Sequence, residues 1–357
     1  MAKITKHIEI VASTVSGLTS MGAKSRAAIQ AILSEHYVRV DVTIVNNLAD
    51  LNALVERQPD LVFLGMKFIP NNPELGYADT NKIWLSEYLA QYSIPYTGSG
   101  KRAIELELHK ELSKQHLLDA GLKTASFCVV RAGDALPDAT TLPTYPLFVK
   151  PTNRGGGLGV DAGSLVYTAA QLQAKVHALA TRFGSDALIE TYLPGREFSV
   201  GILRQAHTGQ YLVLPLELIA PPNESGARFL SGSIKVADTE QSLALEAGEL
   251  RTSVNQLAIA AFHALGAWDY GRIDIRLDGD GVPHFLEANL LPSLLAGYGN
   301  FPKACLLNED VGQEAMILNI VNLAFRRHLV PDVEFDDALN TAELDQATFL
   351  RPILDTF

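Results

Sequence analysis

The sequence predicts a mixed fold, with a parallel α/β domain at the N-terminus and α+β segments after it. Short apolar runs alternate with helical patterns over residues 1–100, which is typical of a parallel sheet with crossover helices. From residue 187 onward strand-like runs dominate. Because open parallel sheets bind ligands at the carboxyl ends of their strands, we expect a site along that edge of the first domain.

Composition excludes several classes of protein. The 357 residues include 29 Lys and Arg against 40 Asp and Glu, a net charge of −11, and 47% are hydrophobic. At about 150 residues per domain this length predicts two or three folded domains. The acidic balance argues against a nucleic-acid partner, which needs clustered basic side chains. Without a signal peptide or a bilayer-length apolar run, we expect a cytoplasmic protein with no membrane partner.

The two cysteines, Cys128 and Cys305, form no C-x-x-C pair and are interpreted as ordinary buried thiols in a reducing compartment.

In the first domain we expect three strands and three helices. Strands are expected at 7–12, 39–45 and 61–64, and helices at 24–33, 48–57 and 81–91.

Further along, one long helix is expected over residues 101–120, because the helical pattern ends at Gly121. Strands are expected at 125–131 and 147–150, and helices at 169–183, 246–265 and 313–329. The predicted division is 1–100, 101–185 and 186–330, followed by an acidic tail at 331–357. The tail could pack on the fold or form a contact arm, and its composition does not decide between them.

The most informative stretch is residues 271–292, in which Ile273 and Ile275 alternate with polar side chains as in a half-buried strand. Residues 278–281, Asp-Gly-Asp-Gly, have the composition of a turn between two strands. If the strands pair in one uniform register about this turn, Asp274 faces Glu287 and Arg272 faces Asn289.

This register would gather two carboxylates, an amide oxygen and a guanidinium on one face of the sheet. Hard oxygen ligands of this kind suit Mg²⁺. The alternative is a solvated face with ordinary cross-strand pairing. Two carboxylates placed directly opposite each other repel, which favours the metal site.

A second stretch, residues 148–160, places Lys150 at the end of an apolar strand before Gly155, Gly156 and Gly157. Backbone N–H groups of such a loop, with a cation beside them, are suited to phosphate oxygens. The alternative is a mobile linker or a hairpin tip. Two other segments, 17–25 and 98–101, approach the phosphate-binding P-loop motif but lack its spacing.

A third stretch, residues 187–203, is predicted to be a strand, a turn and a second strand, with Glu190 and Glu197 at the ends of its apolar runs. A carboxylate there is able to accept hydrogen bonds from a ribose or an exocyclic amine. Taken alone, both glutamates are equally consistent with surface charges.

In this order, Lys110, VKP with its glycine loop, IETYLPGREFSVG, GRIDIRLDGDG and FLEANLLPS resemble the ATP-grasp fold and, within it, the D-alanine–D-alanine ligase family. The similarity runs from about residue 94 to about residue 323. It implies a Rossmann-like N-terminal domain, a small central domain and a C-terminal α+β domain that carries the metal site.

The resemblance also implies roles for individual residues at the nucleotide. Lys110 and Lys150 would hold the phosphates and reach the adenine edge, beside the loop of Gly155, Gly156 and Gly157. The backbone of the linker from Glu190 through Thr191 to Leu193 would read adenine, and Glu197 would hold the ribose.

For the chemistry, the resemblance implies that Asp274, Glu287 and Asn289 bind Mg²⁺, with two ions expected and Mn²⁺ as a substitute. Arg272 would stabilise an oxyanion, and Lys235, in the lid loop 226–238, would reach the γ-phosphate of ATP. The implied activity is ATP-dependent formation of an amide bond through an acyl phosphate. Amino-acid-like substrates, a homodimer and a place in cell-wall synthesis are further implications.

The sequence departs from the family pattern on the amino-acid side. Arg154 and the three glycines after it replace an acidic residue, a glycine and two serines, and Lys67-Phe68 stands where the family has His-Gly. After the metal-binding asparagine, Pro292 is followed by Ser293 rather than glycine. Beside the reaction of the family itself, two alternatives are therefore a ligase that joins amino acids other than two D-alanines and a non-catalytic ATP-binding protein. Lys67 and Arg154 would suit a substrate with an extra carboxylate.

Overall fold

A computed structural model of the chain describes residues 2–15, 17–76, 79–223, 226–237 and 239–329, without the side chains of residues 235, 236 and 329. The predicted tail at 331–357 lies outside these residues. The predicted domain boundaries stay predictions.

The N-terminal sheet has three parallel strands in the order β2-β1-β3. They are β1 (Ile4–Ala12), β2 (Tyr37–Ile44) and β3 (Leu61–Leu64), with the crossover helices α1 (Ala23–His36) and α2 (Leu48–Glu56) between them. The predicted parallel α/β arrangement is confirmed. Ile8 and Ile10 on the central strand are fully buried, as expected for a sheet covered by helices.

A small antiparallel hairpin follows, formed by β4 (Phe68–Pro70) and β5 (Lys82–Trp84), before α3 (Leu85–Gln91). The helix predicted over 81–91 is therefore wrong at its start. Trp84 pairs with Phe68 across the hairpin, and their rings pack edge to face at 5.5 Å. Tertiary pairing of aromatic residues overrides the local helical pattern here.

The long helix predicted over 101–120 is broken at His109 into α4 (Lys101–Leu108) and α5 (Lys110–Asp119). His109 has φ −114° and ψ 90°, which is extended rather than helical backbone. The amide of Lys110 donates to the carbonyl of Thr152 at 3.1 Å instead of continuing the helix. This long-range bond, which no local pattern reveals, ties Lys110 to a distant part of the chain.

The central sheet is antiparallel, in the order β6-β9-β7-β8. Its strands are β6 (Phe127–Val130), β7 (Leu147–Pro151), β8 (Leu165–Val166) and β9 (Ala187–Thr191), and α6 (Ala169–Phe183) packs against it. The glycine loop leaves this sheet at the end of β7.

The C-terminal sheet is antiparallel, in the order β12-β11-β10-β13-β14. Its strands are β10 (Glu197–Arg204), β11 (Tyr211–Ile219), β12 (Gln241–Ala244), β13 (Tyr270–Leu277) and β14 (Pro283–Asn289). Within the described residues of this half, the helices are α7 (Gly232–Ala237), α8 (Glu249–Ala264), α9 (Asn300–Glu309) and α10 (Gln313–Leu329).

Helix α9 is absent from the sequence prediction, and it packs on β10 and β11. Gly201 permits the close approach, since a Cβ there would lie 3.1 Å from the Cβ of Ala304. Cys128 and Cys305 are free thiols. No helix within the described ranges has both the length and the apolarity that a bilayer span requires.

Candidate active site

The β13–β14 hairpin brings the predicted acidic residues together. Asp274 pairs with Glu287 and Arg272 pairs with Asn289, as the sequence predicts. Toward the turn, however, Ile275 pairs with Phe285, so that Leu286 is an extra residue on β14. This β-bulge, and not a uniform register, is what places Glu287 opposite Asp274.

Asp274 is held from two sides. Arg272 donates from Nε to Oδ1 at 2.9 Å and from Nη2 to Oδ2 at 3.0 Å, and the buried hydroxyl of Ser199 also donates to Oδ1, at 2.9 Å. Burial works against the charge of Arg272, but the carboxylates of Asp274, Glu287 and Glu107 outweigh it and raise the pKa of the guanidinium. Arg272 is therefore a charged guanidinium that is held in place near three carboxylates.

The donor set on this hairpin fits Mg²⁺. Asp274 and Glu287 supply carboxylate oxygens and Asn289 an amide oxygen, which are the hard ligands this ion takes. Lys110 approaches from α5, with its Nζ 3.5 Å from Oε2 of Glu287. A cation thus lies next to the acidic pair, where phosphate oxygens would also be attracted.

A cavity of about 750 Å³, counting its open mouth, lies between the central sheet and the hairpin. Its walls include most of the residues predicted to bind nucleotide, together with aromatic and aliphatic side chains. They are Lys110, Phe148, Lys150, Pro151, Arg154, Gly157, Leu158, Val160, Glu190, Thr191, Tyr192, Leu193, Glu197, Phe229, Leu230, Asp274, Arg276, Leu286 and Glu287.

A buried charge triad forms one wall of this cavity. Glu190 lies between two lysines, with Oε1 at 2.7 Å from Nζ of Lys150 and Oε2 at 3.0 Å from Nζ of Lys114. Burial raises the pKa of Glu190, but the two ammonium groups outweigh it and lower the pKa below its usual value. For Lys150, burial is outweighed by Glu190 and Glu287, which raise the pKa of its ammonium.

Another cluster of charges lies toward Glu197. Arg276 donates from Nη1 to Oε2 of Glu197 at 2.7 Å, and from Nη2 to the hydroxyl of Tyr192 at 3.1 Å and the carbonyl of Arg228 at 2.5 Å. The guanidinium also lies over the Tyr192 ring, 5.1 Å from its centre. Arg276 therefore joins the hairpin, the linker after β9 and the loop that precedes α7.

The glycine loop contacts both Lys110 and the lid segment. Nζ of Lys110 donates to the carbonyl of Arg154 at 2.5 Å. Gly232, at the start of α7, donates its amide to the carbonyl of Val160 at 3.1 Å. A Cβ on Gly232 would lie 2.8 Å from the carbonyl oxygen of Gly157, so only glycine permits this approach.

Of the remaining loop residues, Gly155 and Gly156 precede Gly157 and do not line the cavity, and Gly156 has φ +64°. Lys235 lies in α7, and its side chain is outside the described residues.

The comparisons with known proteins agree with this geometry. A family model described as D-ala D-ala ligase C-terminus matches residues 117–322, which is more than half of the chain. The chain belongs to this family. It is an ATP-dependent ligase that forms a carbon–nitrogen bond, and the predicted ATP-grasp fold and family resemblance are confirmed.

Two curated relatives illustrate the likeness. The D-alanine–D-alanine ligase of Trichlorobacter lovleyi is 31% identical over 296 residues, covering 82% of this chain and 86% of the relative. That of Pelobacter propionicus is 29% identical over 320 residues, covering 89% and 95%. Among solved structures, the Bacillus anthracis D-alanine–D-alanine ligase complexed with ATP has a TM-score of 0.69 at 21% identity, covering 92% of this chain and 100% of that one.

In this member of the family, the two cations expected on the amino-acid side, Lys67 and Arg154, both contact other groups of the protein. Nζ of Lys67 lies 2.5 Å from Oε1 of the buried Glu107. Arg154 donates from Nη2 to the carbonyl of Phe183 at 3.1 Å, at the end of α6. These contacts do not favour an extra substrate carboxylate, because the charge of Lys67 is balanced within the protein.

Sequence reasoning missed Arg276 and Lys114 in this ligase. Arg276 was visible in the strand alternation, since it follows Arg272 and Asp274 at steps of two and therefore shares their face of β13. Lys114 lies four residues after Lys110, which places the two lysines on neighbouring turns of α5. No signal in the sequence indicates that its ammonium is buried against Glu190.

Proposed function

We propose that this ligase joins a carboxylate to an amine in an ATP- and Mg²⁺-dependent reaction that passes through an acyl phosphate and releases ADP and phosphate. The observation that carries the proposal is the hairpin pair Asp274 and Glu287. Both carboxylates line the cavity that Lys110 and Lys150 also line, and Arg272 is fixed beside them.

The first step needs a carboxylate to attack the γ-phosphate of ATP, since a carboxylate is a poor electrophile until it is activated. Lys110 and Lys150 hold the phosphates and offset the charge that spreads over the transferring group, and Lys235 is assigned to the γ-phosphate. Bound Mg²⁺, one or two ions held by Asp274, Glu287 and Asn289, would supply further charge stabilisation, and Mn²⁺ would substitute.

In the second step the amine attacks the acyl carbon and phosphate leaves. Arg272 stabilises the oxyanion that develops, because its position is fixed by the two bonds to Asp274 before the reaction begins. The lid segment, which contacts the glycine loop through Gly232, excludes water that would hydrolyse the acyl phosphate.

The nucleotide itself is assigned to the cavity. The backbone of the linker from Glu190 through Thr191 to Leu193 reads the adenine edge. Glu197 accepts from the ribose, and the backbone of Gly155, Gly156 and Gly157 approaches the phosphates. All of these roles follow the family pattern, and the lining of the cavity, which includes Gly157 but not Gly155 or Gly156, supports those of the residues on its walls.

For the substrates we propose two amino acids. The curated relatives named above are D-alanine–D-alanine ligases, and a role in cell-wall synthesis fits them. Because the two serines of the family loop are replaced by Gly156 and Gly157 and Lys67 is paired with Glu107, we propose a substrate pair other than two D-alanines. A homodimer is proposed on the same family grounds.

The decisive experiment is an ADP-release screen with pools of D- and L-amino acids and hydroxy acids. Asp274→Asn and Glu287→Gln should each remove ADP release that depends on substrate. Asp280→Asn, in the exposed turn of the same hairpin, is the matched control and should retain it. Near wild-type rates in both site variants would overturn the metal assignment, and robust, saturable turnover with D-alanine alone would overturn the altered specificity.

A further inference from the structure

Ser199 is a fully buried serine on β10 whose hydroxyl reaches the acidic hairpin. It lies opposite Asp274 in the register of β10 with β13, and Asp274 in turn lies opposite Glu287 on β14. Residues that pair across neighbouring strands share a face, so the three side chains form one row across the C-terminal sheet. In this row Ser199 stands behind Asp274, on the side away from Glu287.

The two oxygens of Asp274 differ in the number of donors they accept. Oδ1 accepts the hydroxyl of Ser199 at 2.9 Å and Nε of Arg272 at 2.9 Å. Oδ2 accepts Nη2 of Arg272 at 3.0 Å, and no second donor to it is found among the described residues. An ionised carboxylate has about four lone-pair sites, shared equally between its oxygens. The sites of Oδ1 are thus filled, whereas Oδ2 keeps one.

The size of Ser199 does not account for its hydroxyl. The residues beside it on β10, Phe198 and Val200, are fully buried and point to the opposite face of the sheet. Gly201, the next residue on the face of Ser199, leaves room for α9. Alanine would fill the position of Ser199 without burying a hydroxyl that needs a partner inside the protein. The bond to Asp274 therefore explains this serine better than its volume does.

We propose that Ser199 is a positioning residue for the divalent ion, which it directs to Oδ2 of Asp274 by filling Oδ1. The inference rests on the proposed function, in which Asp274 binds Mg²⁺. This ion is usually bound through one or two carboxylates in near-ideal octahedral geometry, so the orientation of each carboxylate matters. Loss of a group that hydrogen-bonds to a metal ligand typically lowers metal affinity by about 10–100-fold.

The test measures binding of β,γ-imido-ATP, an analogue whose γ-phosphate is not transferred, with saturating Mg²⁺ and with excess EDTA. Titration calorimetry of the full chain gives a Kd for each condition, and the ratio of the two is the factor by which the metal tightens nucleotide binding. Ser199→Ala should lower this factor by about tenfold or more. Its Kd in EDTA should equal that of the wild type, because Ser199 acts through the metal ligand alone.

Two further variants separate positioning from packing. Ser199→Thr keeps the hydroxyl and should retain most of the metal-dependent factor. Ser99→Ala is the matched control, since Ser99 is also fully buried but exchanges hydrogen bonds with the backbone of Trp268 and not with a carboxylate. This control should leave the factor unchanged.

Asp274→Asn distinguishes failure of this inference from failure of the proposed function. The metal assignment in the proposed function is overturned if Asp274→Asn keeps the wild-type factor, or if Mg²⁺ does not tighten binding of the analogue to the wild type. If Asp274→Asn lowers the factor and Ser199→Ala does not, the role of Ser199 alone is overturned. The same holds if Ser199→Thr, with a normal Kd in EDTA, loses as much as Ser199→Ala, because the hydroxyl would then have no effect.

Discussion

Arg272 and Asp274 form a two-bond fork within one strand, with Nε to Oδ1 at 2.9 Å and Nη2 to Oδ2 at 3.0 Å. Residues two positions apart on a strand share a face, so β13 itself presents both groups to the same side. The fork links the residue assigned to the oxyanion with a residue assigned to the metal. Its planar, two-point geometry is available to arginine and not to lysine.

We therefore expect Arg272→Lys to lower the rate of ADP release by about a hundredfold or more. Lysine keeps the positive charge, but it cannot form the two bonds to Asp274 that fix the position of that charge. ATP affinity should change much less. Steady-state ADP release and calorimetric ATP binding measure the two effects. Arg196→Lys is the matched control, since Arg196 makes the same kind of fork with Glu217 at an exposed position. Equal losses of rate in the two variants would contradict the assignment.

Arg276 is expected to act on nucleotide affinity. Replacing it in Arg276→Gln leaves the carboxylate of Glu197 without its cation and removes the bond to the carbonyl of Arg228. Charge-assisted hydrogen bonds of this kind contribute about 1.5–3 kcal/mol, so the Kd for ATP should rise by about tenfold or more. Calorimetric titration with ATP measures it, and an unchanged Kd would refute the role given to Arg276.

The ion pair of Lys67 and Glu107 should be important for stability. Oε1 of Glu107 lies 2.5 Å from Nζ of Lys67, and their side chains are only 5% and 18% exposed. Glu107→Gln leaves a largely buried ammonium unpaired, and we expect it to lower the free energy of unfolding by about 2–4 kcal/mol. Urea denaturation measures the change.

Two comparisons isolate this effect. The double variant Lys67→Met, Glu107→Leu should recover part of the loss, because it removes both charges. Glu87→Gln, which breaks the exposed pair with Lys101, should cost clearly less. Equal costs for the buried and the exposed pair would contradict the prediction.

Asp274 and Lys110 show which features of the site can be predicted from the sequence and which cannot. Alternation along β13 and the turn after it predict which acids face each other, because both signals are local. The helix break at His109 and the bulge at Leu286 both lie beside contacts with distant parts of the chain. The amide of Lys110 donates to the carbonyl of Thr152, and Lys114 donates to the carbonyl of Phe285. Long-range bonds of this kind leave no periodic pattern in the sequence.

The sequence also does not show which charged side chains are paired in the folded protein. The sequence shows Lys67 and Lys114 as cations, but only the fold shows that Glu107 and Glu190 neutralise them. The expectation that Lys67 adds surplus positive charge on the amino-acid side therefore loses its support.

The titration of Lys114 gives a pH dependence of stability. Burial lowers the pKa of its ammonium to about 8, although Glu190 and Glu287 act in the opposite direction and Lys150 adds to the lowering. In the unfolded chain the pKa is about 10.4. Between these two values the unfolded state binds a proton that the folded state has lost, so the contribution of Lys114 to stability rises with pH.

The free-energy cost of burying the charged ammonium of Lys114 is thus fully present below about pH 8 and decreases as the pH approaches 10.4. The decrease is at most about 1.4 kcal/mol per pH unit. We expect the free energy of unfolding of the wild type, minus that of Lys114→Met, to increase between about pH 7.5 and pH 9.5. Urea denaturation of both proteins at several pH values measures this difference. A difference that stays flat or falls over the window would show that Lys114 keeps an ordinary pKa in the folded protein, because only a depressed pKa gives the upward slope.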